Sequence, residues 1–146
     1  MTISKADRKT INNFLKARFN KTMSEAGVGR KKELAAGAET LPSAVIEWLA
    51  SDEYWRVRRC VAENPNTPLE ILAQMASDEN EYVRCHVAKN PSTPPKILVR
   101  LASDEDDGVR RDVAENPNTP TEILVRLASD EDKDVHRDVA QNPSTP

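Results

Sequence analysis

An all-α solenoid, built from 26-residue units of two short helices each, is the fold class this sequence predicts. Three observations predict it. Ser-Asp recurs at Ser51-Asp52, Ser77-Asp78, Ser103-Asp104 and Ser129-Asp130, every step being 26 residues. Asn-Pro recurs at Asn64-Pro65, Asn90-Pro91, Asn116-Pro117 and Asn142-Pro143 with the same step. Between them run two valine columns, Val57, Val83, Val109, Val135 and Val61, Val87, Val113, Val139, the second followed each time by Ala62, Ala88, Ala114 or Ala140. Gap-free self-similarity at a fixed period is the signature of stacked repeats. No single unit can bury its own apolar stripe, so each must lean on its neighbours.

The first helix of a unit is expected to open at Thr67-Pro68, Thr93-Pro94 or Thr119-Pro120, with Thr as N-cap and Pro at the first helical position. Glu70 and Glu122 stand three residues after the Thr and complete a capping box, which Lys96 interrupts in the middle unit. Ile71, Leu72, Met75 and Ala76 then form one apolar stripe, matched by Ile97, Leu98, Leu101, Ala102 and by Ile123, Leu124, Leu127, Ala128.

The Ser-Asp pair ends that helix and starts the second, whose acidic first turn suits the helix dipole. Val109, Val113 and Ala114 mark its buried edge, and Asn116-Pro117 stops it, because the residue before proline is pushed out of the α region. With two β-branched residues in so short a segment, a 3₁₀ stretch and a regular α-helix both stay open. The Asn column is expected to satisfy backbone groups in the turns between units.

With these residues in hand, the chain resembles the leucine-rich repeat variant family, whose units carry V-R-x-x-V-A-x-N-P-x-T-P before a Leu-containing helix. The matching stretches are Val57 to Pro68, Val83 to Pro94, Val109 to Pro120 and Val135 to Pro146. The Asp-to-Val-Arg portion is also similar to HEAT repeats. The resemblance covers about residues 41–146 and implies a right-handed superhelix that pairs α with 3₁₀ helices. The unit here is slightly longer than the family's usual one. Some members carry an N-terminal iron–sulfur domain held by clustered cysteines. Residues 1–40 contain no Cys, so that cofactor does not carry over, and no cofactor is expected.

Residues 1–40 read as a separate N-terminal capping segment, and 41–146 as the repeat domain with its last unit incomplete. The segment holds 9 Lys/Arg against 4 Asp/Glu, whereas 41–146 hold 12 against 20. Ile11, Phe14, Leu15 and Phe19 lie at helical spacing and suit a cap over the first unit. Lys32 to Thr40 fit a decayed unit loosely. Trp48 and Trp55 stand in columns that are polar later (Gln74, Arg100, Arg126 and Glu81, Asp107, Lys133), so something is expected to cover them. The chain stops at Thr145-Pro146, where the next helix would begin. An end of this kind is expected either to let two copies dimerise, to mark a piece of something longer, or to fray.

Few classes of chemistry fit. No apolar run reaches the ~20 residues of a bilayer span, so no membrane partner is expected. The 4 glycines form no phosphate-cradling loop. Cys60 and Cys85 lack metal spacing and read as free thiols of a reducing cytoplasm. His86 follows Cys85, but adjacent helical residues point about 100° apart and cannot readily pair as base and nucleophile. Asp104, Asp106 and Gly108 echo a calcium loop, as do Asp130, Asp132 and Asp134, but no glycine stands at the sixth position.

The expectation is therefore a non-enzymatic scaffold that binds another protein. Its candidate partner-binding residues are Trp55, Arg56, Arg58, Arg59, Tyr82, Arg84, Arg110, Arg111 and Arg137. The Arg58, Arg84, Arg110 column, ended by His136, has two readings. Either each Arg pairs with acids such as Asp52, Asp78 or Asp104 six residues upstream, or the column lines a face for acidic peptide or phosphate. Nucleic-acid binding through the Arg columns and the basic arm is the alternative function.

Overall fold

The computed structural model describes residues 43–145, together with Gly27, Gly29, Lys31 and Ala35. The expected capping helix around Ile11, Phe14, Leu15 and Phe19 lies outside the described residues. Eight helices follow one another among the described residues: α1 (Ser43–Ala50), α2 (Trp55–Glu63), α3 (Leu69–Met75), α4 (Glu81–Lys89), α5 (Pro95–Leu101), α6 (Asp107–Glu115), α7 (Thr121–Leu127) and α8 (Lys133–Gln141). The odd-numbered helices carry the Leu stripe and the even-numbered ones the Val stripe. The Val helices stack directly, α2 on α4, α4 on α6 and α6 on α8, while each Leu helix from α3 on wedges against the Val helices before and after it. The molecule is an α-solenoid.

Its core is one unbroken apolar seam from Ala35 to Val139. Leu49, Leu72, Leu98 and Leu124 are fully enclosed, as are Val57, Val83 and Val109. Each such side chain contributes about 1.5–3 kcal/mol of transfer free energy. The stripes read from the sequence are the stripes that are buried.

One open alternative is decided and one expectation is corrected. The second helix of each unit is a nine-residue α-helix rather than a 3₁₀ one, and the Leu helices are the shorter at seven residues from α3 on. The threonines do not cap the Leu helices: Pro68, Pro94 and Pro120 occupy the N-cap positions, with no side-chain cap. Instead the hydroxyls of Thr67, Thr93 and Thr119 donate back to the carbonyls of Val61, Val87 and Val113, each at 2.6 Å. The last turn of a Val helix leaves carbonyls short of intrahelical partners; those of Val61, Val87 and Val113 accept from the backbone N–H of Asn64, Asn90 and Asn116, and the buried threonine adds a second bond.

Asn64, Asn90, Asn116 and Asn142 leave the helical region with ψ between 120° and 128°, as a residue before proline should. Their side chains tie the units together. Asn90 Nδ2 donates to Ala62 O at 2.7 Å and Asn64 O at 2.9 Å in the preceding unit, while its Oδ1 accepts from Ser92 N at 2.8 Å. Asn116 and Asn142 repeat the arrangement. The Asn column thus serves the turns as expected, and every rung is buried.

Candidate interaction surface

The Arg column forms a second ladder. Arg58 Nε donates to Asp78 Oδ2 at 2.7 Å, Arg84 Nε to Asp104 Oδ2 at 2.8 Å and Arg110 Nε to Asp130 Oδ2 at 2.8 Å, each with a second bond from Nη2 to Oδ1. The carboxylate belongs to the next unit, 20 residues on. The aspartate six residues upstream contributes only its backbone: Nη1 of Arg58, Arg84 and Arg110 donates to the carbonyls of Asp52, Asp78 and Asp104. Hydrogen bonding to the aspartate raises the pKa of each guanidinium above its usual value. In the last unit His136 meets the Asp130 carbonyl instead.

Lys31 and Ala35 extend both ladders at the N-terminal side. Lys31 Nζ reaches Asp52 Oδ2 at 2.9 Å, and the Ala35 carbonyl accepts from Asn64 Nδ2 at 3.0 Å. These contacts span 21 and 29 residues, against 20 and 28 in the later units, so both residues stand one place out of register.

Two further arginines are engaged within the fold. Arg111 Nε donates to Asp138 Oδ2 at 3.0 Å. Arg137 contacts Asp138 Oδ1 at 3.2 Å and Asp134 Oδ1 at 2.6 Å. Asp112, equivalent to Asp138, takes Lys89 Nζ at 3.0 Å. Sequence reasoning missed these two buried aspartates, although their column (Cys60, His86, Asp112, Asp138) turns acidic only where a cation faces it. Burial pushes the Cys85 thiol well up, and nearby Asp112 adds to the shift, which favours the protonated thiol at neutral pH. Cys60 is buried and both thiols are free.

Of the nine candidate residues, five (Arg58, Arg84, Arg110, Arg111, Arg137) are therefore bound to the chain's own carboxylates. The other four come together across α2 and α4. The rings of Trp55 and Tyr82 stack with centroids 5.2 Å apart and planes 23° from parallel. Arg56 lies 4.6 Å and Arg59 5.9 Å from the Trp55 ring. Tyr82 is 52% exposed and Tyr54 47%. Lys31 stands over Trp48 and Tyr54 at 5.2 and 5.9 Å. Beside this patch, Glu63, His86, Lys89, Asn90 and Pro91 line a cleft of about 190 Å³.

Among the described residues no group of three or more His, Cys, Asp or Glu side chains could hold a metal, and no helix is long and apolar enough to cross a membrane.

Fold and surface together define a helical-repeat scaffold, in which the recurring Arg–Asp and Asn columns join the units. A Leucine Rich Repeat Variant domain is matched over residues 56–115 and the Leucine rich repeat variant over 107–132, together more than half of the chain. The chain belongs to the leucine-rich repeat variant family. No curated protein and no solved structure matches it.

Proposed function

We propose that this scaffold is a non-enzymatic module that binds another protein through Trp55, Arg56, Arg59 and Tyr82. One observation carries the reading. The Arg58–Arg110 and Asn columns are spent on joining units, whereas a stacked aromatic pair and two arginines outside them stand together on α2 and α4. Aromatic and Arg side chains are the types that anchor protein interfaces. Membership of a helical-repeat family supports the same reading. A phosphate-tracking surface finds little support, because the ladder guanidinium groups are already held bidentately and residues 41–146 are net acidic.

The test replaces Tyr82 with a photo-crosslinking phenylalanine analogue in cells that make the protein. A control places the analogue at Val125, which is exposed on α7. A discrete protein adduct is expected from position 82, absent from position 125 and lost on Trp55→Ala. No discrete adduct, the same adduct from both positions, or an adduct to nucleic acid would overturn the proposal.

A further inference from the structure

The Val helices share a second cross-helix register, in which a residue meets the one 27 positions later. Arg111 meets buried Asp138 in this way. One unit earlier the same positions hold Cys85 and Asp112, and Asp112 is served by Lys89. One unit earlier again they hold Arg59 and His86. His86 supplies no carboxylate, and its Nδ1 is engaged with Tyr82 O at 2.8 Å. Arg59 Nε is accordingly buried without a hydrogen-bond partner, alone in this respect among the side-chain atoms of the described residues. Buried donors in native proteins are nearly always satisfied, so an orphan of this kind asks for a partner.

We infer that the missing acceptor is a carboxylate on an acidic segment of the partner protein, which Arg59 meets by turning its Nε edge outward. This rests on the proposed interaction surface and names the chemistry that surface takes. Arg59 is half-buried and, among the described residues, rests against the Trp55 ring, so turning its unbonded Nε edge outward breaks no hydrogen bond. Exposed Arg56 supplies a second cation, and Tyr82 and Tyr54 supply exposed rings beside it. The chain's own residues 1–40 are a poor source of the acid, having 4 acidic against 9 basic residues.

A nucleic-acid strand fits less well. Tyr82 stacks on the Trp55 ring and Arg56 lies over it, which leaves little of that ring free for a base.

The experiment titrates the ¹⁵N-labelled full chain with three probes: a capped tetraglutamate peptide, a capped tetralysine peptide and a five-nucleotide oligothymidylate. The arginine Nε–H and tryptophan indole resonances are followed. Tetraglutamate should shift the Arg59 Nε–H and Trp55 indole signals saturably and leave those of Arg84 and Arg110 in place. Arg59→Gln and Arg56→Gln should each weaken this binding about tenfold, and Arg126→Gln should not change it. No shift at Arg59, an undiminished response in Arg59→Gln, or tighter binding of the oligothymidylate would overturn the inference. If tetraglutamate fails while the Tyr82 adduct to a protein persists, the acidic segment is wrong and the interaction surface stands.

Discussion

Arg84 and Asp104 are 20 residues apart in the chain and joined by two hydrogen bonds, Nε to Oδ2 at 2.8 Å and Nη2 to Oδ1 at 2.9 Å. The third guanidinium nitrogen of Arg84, Nη1, reaches back to the carbonyls of Asp78 and Glu79. One side chain thus grips the loop that opens its own helix and the loop that opens the next Val helix. Side-chain exposure of the pair is only 10% and 9%, so water screens it poorly. Arg58 and Arg110 repeat the grip, which fixes the offset between successive units as the Asn column does on the other side of the stack.

Removing one member of this pair should cost far more than removing both. Arg84→Ala leaves the Asp104 carboxylate nearly buried and uncompensated, a loss of about 3–5 kcal/mol. Asp104→Asn keeps the acceptor for Asp106 N but leaves Arg84 without a carboxylate. In urea unfolding of the four proteins of the cycle, the double variant Arg84→Ala with Asp104→Asn should be far more stable than the sum of the two single losses predicts. Simple additivity would show that the bridge carries no coupling.

Acid should loosen the C-terminal rung of this ladder. Hydrogen bonding from Arg110 holds the Asp130 carboxyl below its ordinary value of 3.8. A folded pKa below the unfolded one gives stability that is fully present above about pH 4 and is lost as pH falls through the depressed value. Melting temperatures of the native chain and of Asp130→Asn should therefore differ most at neutral pH and draw together as pH falls below the ordinary carboxyl value of 3.8. A gap that does not narrow on acidification would show that protonating Asp130 is not what releases the rung.

How much of this was legible beforehand follows from what a fixed period can and cannot encode. The stripes of Leu72 and Val83, and the turn role of Asn90, follow from periodicity and from the chemistry of Asn-Pro. The partner of Arg84 does not, since Asp78 six residues back and Asp104 twenty residues on are equivalent by repetition; only the folded geometry sends the carbonyl of one and the carboxylate of the other to the same guanidinium. Thr93-Pro94 reads locally as a helix start, yet the hydroxyl is drawn to the Val87 carbonyl across the turn. Lys31 and Ala35 escaped notice because a shift of one residue hides them from any 26-residue comparison. Trp55 and Tyr82 could be flagged from their varying columns and Arg59 from the Arg column it shares with Arg111 and Arg137, but its unpartnered Nε emerges only in the folded geometry.

Gly108 tests how the Val helices are capped. A methyl group there would meet Asp106 Oδ1 at 2.9 Å, the atom that accepts from Val109 N. No positive φ requires glycine among the described residues, and the equivalent positions hold Tyr82 and Asp134. In those units the cap oxygen of Asn80 accepts from Tyr82 N, and that of Asp132 from both Asp134 N and Val135 N. Asp106 can turn to the same arrangement, so Gly108→Ala should stabilise by about 0.5 kcal/mol through the lower entropy of its unfolded chain. A loss near 1 kcal/mol in thermal melts would mean that the cap is broken instead of turned.

The Asn ladder can be probed by exchanging one atom. Asn90→Asp keeps the size and the Oδ1 acceptor for Ser92 N, but it sets an oxygen against the carbonyls of Ala62 and Asn64 where an amide now donates. Asn90→Ala removes the donor without adding repulsion, at about 1–3 kcal/mol for the carbonyls left unpaired. At neutral pH the Asp variant should be the less stable of the two, because burial and the facing carbonyls disfavour its charge. That environment raises its folded pKa above the unfolded value, so stability is present at low pH and lost as pH rises through the folded pKa. Its melting temperature should accordingly climb relative to Asn90→Ala as the buffer is taken from pH 7 to pH 4, when the protonated carboxyl can donate to one of the two carbonyls. An Asp variant that matches Asn90→Ala at every pH would place the side chain outside the ladder.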